Sequence, residues 1–368
     1  MKMRSIVDKL AKLKPLVRTG PGPGIGMGVG MDTGRGTGPG TGTTALTPLR
    51  EPAVNPGKLR GWAYVPARLP PGAALVVVLH GCTQDAAGFD HGSGWSELAE
   101  RHGFALLFPE QTRANNPNLC FNWFAPGDIR RGEGEVRSIR EMIATMVADH
   151  RLAPSRVFVT GLSAGGAMAA AMLATYPEVF AAGAIIAGLP YGVASGVPQA
   201  MERMRGSNLP DGTTLARLVR DASPHNGPWP RVSIWHGTAD STVAPETGEA
   251  LVVQWGILHG LPTAPSERRV NGALTQRIWR DAQGRVVMEA SSVAGMSHGV
   301  PLATGGDGCG AAGAFMLDVG ISSTARIADF FGLATADTKH ETRAKPLSAM
   351  MHSGRIVEDA LRAAGLMR

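Results

Sequence analysis

The sequence predicts an α/β protein with a mostly parallel central sheet and helices on both of its faces. Three observations support this fold class. Short apolar runs alternate along the chain with longer segments whose apolar residues recur every three or four positions. The run at 73–82 is β-branched and nearly uninterrupted, as expected of a strand buried on both faces. With 368 residues, 43% of them hydrophobic, the chain can form one large domain with appendages.

The predicted elements follow one another from residue 58 onward. Strands are expected at 59–66, 73–82, 104–111, 155–163, 181–190 and 232–240. Helices are expected at 134–150, 164–180 and 247–260. The chain then forms a hairpin with a last strand at 275–295 and a closing helix at 324–333. In sheets of this kind, chemistry takes place at the carboxyl ends of the strands.

Composition divides the chain into four segments. Residues 1–19 combine apolar residues near helical spacing with Lys and Arg, which predicts a basic amphipathic segment. Two interpretations remain open for it: a poorly ordered tail, or a segment that adsorbs to an anionic or apolar surface. Residues 20–57 are rich in Gly, Pro and Thr and predict a flexible linker. The α/β domain is expected at 58–335. Residues 336–368 are expected to form a polar tail with a short helix.

The net charge of +6 is a property of the N-terminal part of the chain. Residues 1–60 hold 10 Lys and Arg against 3 Asp and Glu, and the remainder holds 26 against 27. A near-neutral body does not predict a nucleic-acid-binding surface. No uninterrupted apolar stretch is long enough for a transmembrane helix, and the N-terminus lacks the pattern of a secretory signal. The three cysteines have no zinc spacing, and no metal or cofactor is implied.

Two pentapeptides match the G-x-S-x-G motif of a nucleophilic serine, at 161–165 and at 295–299. The first follows a predicted strand and precedes an Ala-rich helix, which is the strand–turn–helix context that raises a serine hydroxyl above a sheet. The second is followed by a Gly- and Pro-containing stretch that begins a helix poorly. Ser163 is therefore the predicted nucleophile, and a helix-capping serine is the alternative.

A serine hydroxyl becomes nucleophilic when an imidazole takes its proton. In the α/β-hydrolase fold the partners follow in the chain order Ser, Asp or Glu, His. Among ten histidines, His298 alone lies late in the chain, in a Gly-flanked loop after a probable final strand. It is the predicted base, with an ordinary loop histidine as the alternative. His236 and His80, each at the end of a predicted strand, are assigned to local packing.

The carboxylate that orients the base is expected in the loop after a late strand. Asp240 follows the strand at 232–237 and meets this requirement. An Asp in an Asx-turn is the alternative interpretation. Asp221 and Glu246 are the fallback candidates for the acid.

Attack on an ester carbonyl creates an oxyanion that two fixed N–H donors can stabilise. One donor is expected to be the N–H of Ala164, directly after the nucleophile. The other is expected from the loop at 80–84, where the N–H of Cys82 is favoured.

Two features near this loop have open interpretations. Cys82 and Cys120 either pair or remain free thiols, and Cys309 has no evident partner. Trp123, in an aromatic stretch between a strand and a helix, is either a core residue or a platform for substrate.

As an ordered set, six stretches resemble the polyhydroxybutyrate depolymerase family of esterases, which includes feruloyl and acetylxylan esterases. These stretches are VVVLHGCTQ, FPEQ, CFNWF, VTGLSAGGAM, HGTADSTV and GMSHGVPL. They span residues 58–332 and are far more specific together than singly. The resemblance implies an α/β-hydrolase fold and cofactor-free hydrolysis of short-chain polyester or related ester bonds through an acyl-enzyme.

The resemblance also implies roles for individual residues. It supports Ser163, Asp240 and His298 as a catalytic triad, Cys82 and Ala164 as oxyanion donors, and a Cys82–Cys120 disulfide. Members of the family are commonly secreted, whereas this chain has no recognisable secretory signal, so extracellular and cytoplasmic locations both stay open. No separate polymer-binding domain is evident, so soluble oligomers and small esters are expected as substrates at least as much as insoluble polymer.

Three hypotheses for function follow. The leading one is a serine esterase that acts on hydroxyalkanoate esters. The second is an esterase of the feruloyl or acetylxylan type, which differs in pocket dimensions. The third is a non-catalytic module that residues 1–19 hold on a polymer granule or a membrane.

Overall fold

A computed structural model of the chain describes residues 46–305 and 308–334. Within these ranges the strands are, in chain order, β1 (Thr47–Pro48), β2 (Arg60–Tyr64), β3 (Leu75–Leu79), β4 (Ala105–Glu110), β5 (Val157–Leu162), β6 (Ala182–Ile186), β7 (Arg231–Gly237), β8 (Glu267–Asn271), β9 (Leu274–Arg280), β10 (Val286–Val293), β11 (Val300–Leu302) and β12 (Met316–Asp318). The helices are α1 (Ala86–Ser93), α2 (Trp95–His102), α3 (Pro126–Ile129), α4 (Gly134–His150), α5 (Ala164–Thr175), α6 (Val197–Met204), α7 (Gly212–Arg220), α8 (Pro245–Leu258) and α9 (Ser323–Phe331).

Ten of these strands form one sheet in the order β1-β2-β4-β3-β5-β6-β7-β10-β9-β8. The six central strands of this sheet, β4, β3, β5, β6, β7 and β10, all run parallel to one another. Antiparallel strands flank this centre on both sides, β2 and β1 at one edge and β9 and β8 at the other. A separate parallel pair joins β11 to β12.

The strand β3 is buried on both faces, and its sequence, LVVVL, is apolar at every position. In β3, Leu75, Val77 and Leu79 pack into the core on one face of the sheet. Val76 and Val78 point the opposite way and pack into a second core. This division follows from the two-residue side-chain period of a strand. The sheet therefore requires helices on both sides, as the sequence predicted.

Different helices cover the two faces. The first core takes apolar side chains from α4, α5, α7 and α8. The second takes them from α1, α2 and α9, together with the β11–β12 pair. The prediction of a mostly parallel sheet with helices on both faces is confirmed.

The C-terminal boundary predicted for the flexible linker, residue 57, lies too far along the chain. Thr47 and Pro48 pair with β2, and the N–H of Gly57 donates to Ser138 Oγ at 2.8 Å. These contacts, which composition does not reveal, join both Thr47–Pro48 and Gly57 to the α/β domain. The segments predicted at 1–19 and 336–368 lie outside the described residues. None of the helices described combines the length and the apolar character needed to cross a bilayer.

Candidate active site

Ser163 lies on a sharp turn between β5 and α5. Its backbone dihedrals are φ 58° and ψ −117°, a conformation that side-chain-bearing residues rarely adopt. The turn is held because the Ser163 N–H donates to the carbonyl of Ile186 on β6 at 2.9 Å. Local strain of this kind is maintained only where surrounding contacts fix it, and it is the geometry of a nucleophile elbow.

The glycines on either side of Ser163 make the turn possible. A Cβ on Gly161 would lie 2.4 Å from the carbonyl oxygen of Gly165. A Cβ on Gly165 would lie 2.3 Å from the carbonyl oxygen of Leu79 on β3. Both contacts are with backbone that cannot move aside, so only glycine fits at these two positions of the motif.

Asp240 and His298 are in contact at this edge of the sheet. His298 Nδ1 lies 2.7 Å from Asp240 Oδ2, and both side chains are buried. The other carboxylate oxygen, Oδ1, accepts the N–H groups of Thr242 and Val243, each at 2.9 Å. The carboxylate is thus fixed from its own loop, and its free oxygen orients the imidazole.

The loops that carry these two residues are bonded to each other. Ala239 N–H donates to the carbonyl of Met296 at 3.0 Å, and Gly295 N–H donates to Thr238 Oγ1 at 2.8 Å. A Cβ on Gly237 would lie 2.2 Å from the Met296 carbonyl oxygen, so the loops approach closely. This approach follows from the parallel pairing of β7 with β10, which places both loops at the same edge of the sheet.

Asp240 also lies beside a second histidine. His236 Nε2 is 2.8 Å from the carbonyl oxygen of Val243 and 3.5 Å from Asp240 Oδ2. Burial by itself raises the pKa of the Asp240 carboxyl. The charge of His298 and hydrogen bonds from both imidazoles outweigh burial and hold this pKa well below its usual range. The carboxylate is therefore ionised at any pH at which an esterase works.

Ser163 and His298 line the same pocket. In the described part of the chain, no hydrogen bond joins the Ser163 hydroxyl to the His298 ring. Such bonds are commonly long in unliganded enzymes and shorten in the substrate complex. With Nδ1 donating to Asp240, the Nε2 atom of His298 is the one left to accept a proton.

The predicted oxyanion donors also line this pocket. Neither the N–H of Cys82 nor that of Ala164 is bonded to an acceptor in the described part of the chain. Both N–H groups are therefore available to a ligand beside the elbow serine, as the predicted oxyanion role requires.

A disulfide joins Cys82 to Cys120 and so links the loop after β3 to the segment before α3. Cys309 is a buried free thiol, with Sγ 3.9 Å from the carbonyl oxygen of Ser93. Trp123 combines both interpretations left open by the sequence. It is largely buried, packs edge-to-face on Phe124, and also lines the pocket.

The pocket has a volume of about 390 Å³, and two segments supply much of its lining. One wall is the segment 116–124, which includes the disulfide and the two aromatic rings. The other wall is one face of α6, formed by four side chains at helical spacing: Val197, Ala200, Met201 and Met204. Sequence reasoning missed α6, although this i, i+3, i+4, i+7 pattern was a signal that could have found it.

The other candidates lie elsewhere or have local roles. Ser297, in the second motif, is followed by a strand rather than a helix, and its hydroxyl is buried without a partner. Asp221 is the C-cap residue directly after α7, where it pairs with Arg217 in solvent. His80 Nδ1 is 2.7 Å from the carbonyl oxygen of Gly81, so it supports the oxyanion loop. Among the described residues, no cluster of three or more His, Cys, Asp and Glu is arranged to hold a metal.

An elbow serine, a carboxylate-bound histidine and two free N–H donors at the edge of a parallel sheet define a serine hydrolase of the α/β-hydrolase class. A family model described as Esterase PHB depolymerase matches residues 63–278. The chain belongs to this family of esterases, as the sequence predicted, and it is a carboxylic ester hydrolase.

Individual relatives agree with this placement. The chain is 44% identical over 292 residues to poly(3-hydroxyalkanoate) depolymerase C of Paucimonas lemoignei, covering 78% of this chain and 70% of that protein. It is 32% identical over 258 residues to feruloyl esterase B of Neurospora crassa, covering 67% and 85%. An acetyl xylan esterase structure from Aspergillus awamori superposes with a TM-score of 0.68 at 23% identity, over 79% of this chain and all of that one, which shows the shared fold.

Proposed function

We propose that this esterase cleaves ester bonds between hydroxyalkanoate units through an acyl-enzyme on Ser163. His298 acts as the general base and Asp240 orients it. The N–H groups of Cys82 and Ala164 stabilise the oxyanion. The observation that supports this most strongly is the 2.7 Å contact between His298 Nδ1 and Asp240 Oδ2, in a pocket shared with the elbow serine.

The chemistry runs in two steps. His298 Nε2 takes the proton of the Ser163 hydroxyl as its oxygen attacks the ester carbonyl. The tetrahedral oxyanion collapses, His298 returns the proton to the leaving alcohol, and an acyl-serine ester remains. Water, activated by the same imidazole, then attacks the acyl-enzyme and releases the acid. Asp240 stabilises the imidazolium in both steps without taking its proton.

The substrate class is supported by two observations. The relative at 44% identity is named a poly(3-hydroxyalkanoate) depolymerase. The pocket wall on α6 consists of aliphatic and thioether side chains, including Met201 and Met204, which suit the short alkyl groups of hydroxyalkanoate units better than sugars.

A second candidate is an esterase of the feruloyl or acetylxylan type. The segment 116–124 contributes Trp123 and Phe124 to the pocket lining, and such rings can stack on a phenolic acyl group or a sugar. The similarity extends over 82% of a probable acetylxylan esterase A and 85% of a feruloyl esterase B.

A substrate panel separates these candidates. Purified protein is assayed against 3-hydroxybutyrate oligomers, methyl ferulate and acetylated xylo-oligosaccharides, with Ser163→Ala as the control for background hydrolysis. We expect the highest kcat/KM on the hydroxybutyrate oligomers and no activity above background in the variant. Preferred cleavage of ferulate or acetyl esters would overturn the substrate proposal. Turnover of any ester by Ser163→Ala at the wild-type rate would overturn the mechanism.

A further inference from the structure

Glu135, in the first turn of α4, is a buried carboxylate outside the proposed triad. It has no solvent-exposed surface, and no cationic side chain pairs with it among the described residues. Burying a carboxylate without a cation is costly unless N–H donors compensate it. Burial and the nearby Asp128 carboxyl raise the pKa of Glu135 to about 8, whereas hydrogen bonds from Asn122 and Gln111 favour its ionised form.

Three N–H donors converge on the Glu135 carboxylate. Gln111 Nε2 donates to Oε1 at 2.5 Å, and Asn122 Nδ2 donates to the same oxygen at 2.8 Å. The backbone N–H of Asn122 donates to Oε2 at 2.9 Å. Both partners belong to the stretch between β4 and α3, so one carboxylate fixes this stretch near its beginning and near its end.

The stretch that Glu135 fixes is bonded to the oxyanion loop. Cys120 forms the disulfide with Cys82, and the carbonyl of Asn118 accepts the N–H of Thr83 at 2.7 Å. Gln111 Nε2 also donates to the carbonyl of Cys120 at 3.1 Å. The position of the Cys82 N–H therefore depends on a segment whose anchor is Glu135.

A second route runs from the backbone of the same residue, Gln111, to the same loop. The backbone N–H of Gln111 donates to His80 Nε2 at 3.1 Å. With Nε2 accepting, His80 carries its proton on Nδ1 and donates it to the carbonyl of Gly81 at 2.7 Å. The residues just before Cys82 are thus held through His80, while Cys82 itself is held through the disulfide.

We propose that Glu135 is a positioning residue that, through Gln111 and Asn122, keeps the Cys82 N–H aimed at the oxyanion of the tetrahedral intermediate. This inference rests on the proposed function, because it takes Cys82 as an oxyanion donor. An N–H that stabilises an oxyanion acts on the transition state more than on bound substrate. Displacing it lowers kcat and leaves KM nearly unchanged.

Glu135→Gln tests the proposal. The amide has nearly the shape of the carboxylate, but its NH₂ group faces a donor instead of accepting from it. At pH 9, where a Glu135 carboxyl with a pKa of about 8 is mostly ionised, we expect kcat for p-nitrophenyl butyrate to fall at least about tenfold, because a lost oxyanion donor costs about 10²–10³ and a displaced one costs less. KM should change less than about threefold. The inhibition constant of butylboronic acid, which forms a tetrahedral adduct on serine, should rise by the same factor as kcat falls.

Glu289→Gln is the matched control. Glu289 on β10 is also a buried carboxylate that accepts from neutral groups, Ser233 and Gln276, but it does not line the pocket. Replacing Glu289 should leave both kcat and the inhibition constant of butylboronic acid unchanged. Asn122→Ala, which removes one of the three donors, should give a milder form of the Glu135→Gln effect and serves if that variant does not fold.

Each outcome decides the proposal. If Glu135→Gln or Asn122→Ala lowers the melting temperature but leaves kcat and boronate binding at wild-type values, Glu135 only stabilises the fold and the positioning role is wrong. A kcat loss matched by Glu289→Gln would likewise overturn it. Failure of the proposed function is distinguishable, because it would appear as an active Ser163→Ala variant, whatever Glu135→Gln does.

Discussion

Both carboxylate oxygens of Asp240 accept hydrogen bonds, and the bonds to each oxygen have a different consequence. Two backbone N–H groups of its own loop hold Oδ1, so the carboxylate cannot rotate. Oδ2 lies 2.7 Å from His298 Nδ1 and 3.5 Å from His236 Nε2. The nearby imidazoles keep the carboxyl pKa below its usual range despite burial. A fixed, ionised acid selects the tautomer of His298 that can accept a proton from serine.

Asp240→Asn should therefore abolish most activity while keeping the fold. The amide can donate to Nδ1, which favours the wrong tautomer, and losses of about 10⁴ in kcat are known for this change in serine proteases. We expect kcat for p-nitrophenyl butyrate to fall by about 10³–10⁴ at neutral pH. Asp221→Asn, at an exposed carboxylate, is the control and should match the wild type. A loss below about tenfold in Asp240→Asn would contradict the assigned role.

At the scale of residues, the sequence predicted those members of the candidate site whose signal lies in a short motif or directly after a strand. Ser163 lies in a motif whose glycines prove to be required by backbone contacts, and Asp240 and His298 follow recognisable strands. Glu135 could not be identified in this way. A Glu in the first turn of a helix usually faces solvent, and its burial depends on donors from a distant segment.

At the scale of elements, the disulfide closes a loop between the end of β3 and the segment before α3. Cys82 and Cys120 are separated by 38 positions, and cross-links of this span stabilise mainly by restricting the unfolded chain. Replacing both with serine should lower the free energy of unfolding by about 2–4 kcal/mol. Urea unfolding followed by fluorescence measures this, with reduced and oxidised wild type as the comparison. Equal midpoints for the oxidised wild type and the double variant would contradict the expectation.

The α6 wall should limit the size of the substrate group in the pocket. Met204→Ala removes most of one side chain at the pocket end of this helix. We expect the ratio of kcat/KM for p-nitrophenyl octanoate to that for the butyrate to rise about tenfold, since pocket contacts of this size are worth about 1–3 kcal/mol. Arg205→Ala, exposed just after α6, is the matched control. An unchanged ratio in Met204→Ala would mean that α6 does not bound the substrate.

Several helices and strands were not predicted because their sequence patterns are weak. The helices α1 and α2 are each eight residues long and meet at Gly94, and α1 contains Gly88 and Gly92, which oppose a helix assignment. The strand β8 lies at the sheet edge, mostly exposed, so it lacks the apolar alternation of a half-buried strand. The two-residue strand β1 is defined by its pairing alone. Central strands, buried on both faces, were predictable because burial requires apolar runs.

At the scale of the whole molecule, sheet order explains how the site is assembled. The strands β3, β5, β6, β7 and β10 are parallel neighbours, so the loops that follow them open at one edge. Ser163 follows β5, Asp240 follows β7, and His298 follows β10. Residues far apart in sequence therefore meet at this edge. The sequence predicted the fold class and the order of the three residues along the chain, but not the order of the strands in the sheet.

Buried carboxyls give the folded state a pH dependence. Burial raises the pKa of Glu289 to about 6. The folded state thus binds a proton at pH values where the unfolded chain has released it, and the stability from this group is lost as pH rises from about 4.5 to about 6. We expect the unfolding free energy of the wild type, relative to Glu289→Gln, to fall by about 2 kcal/mol between pH 4 and pH 7. Urea unfolding at several pH values measures this difference, and a constant difference would refute it.

The most direct test of the account identifies the nucleophile by covalent labelling. Protein treated with diethyl p-nitrophenyl phosphate, digested and sequenced by mass spectrometry, should carry one phosphoryl group on Ser163, with activity lost in proportion to labelling. The Ser163→Ala protein should remain unlabelled and inactive. Labelling at another serine that tracks the loss of activity, or undiminished turnover in Ser163→Ala, would contradict the assignment of the site.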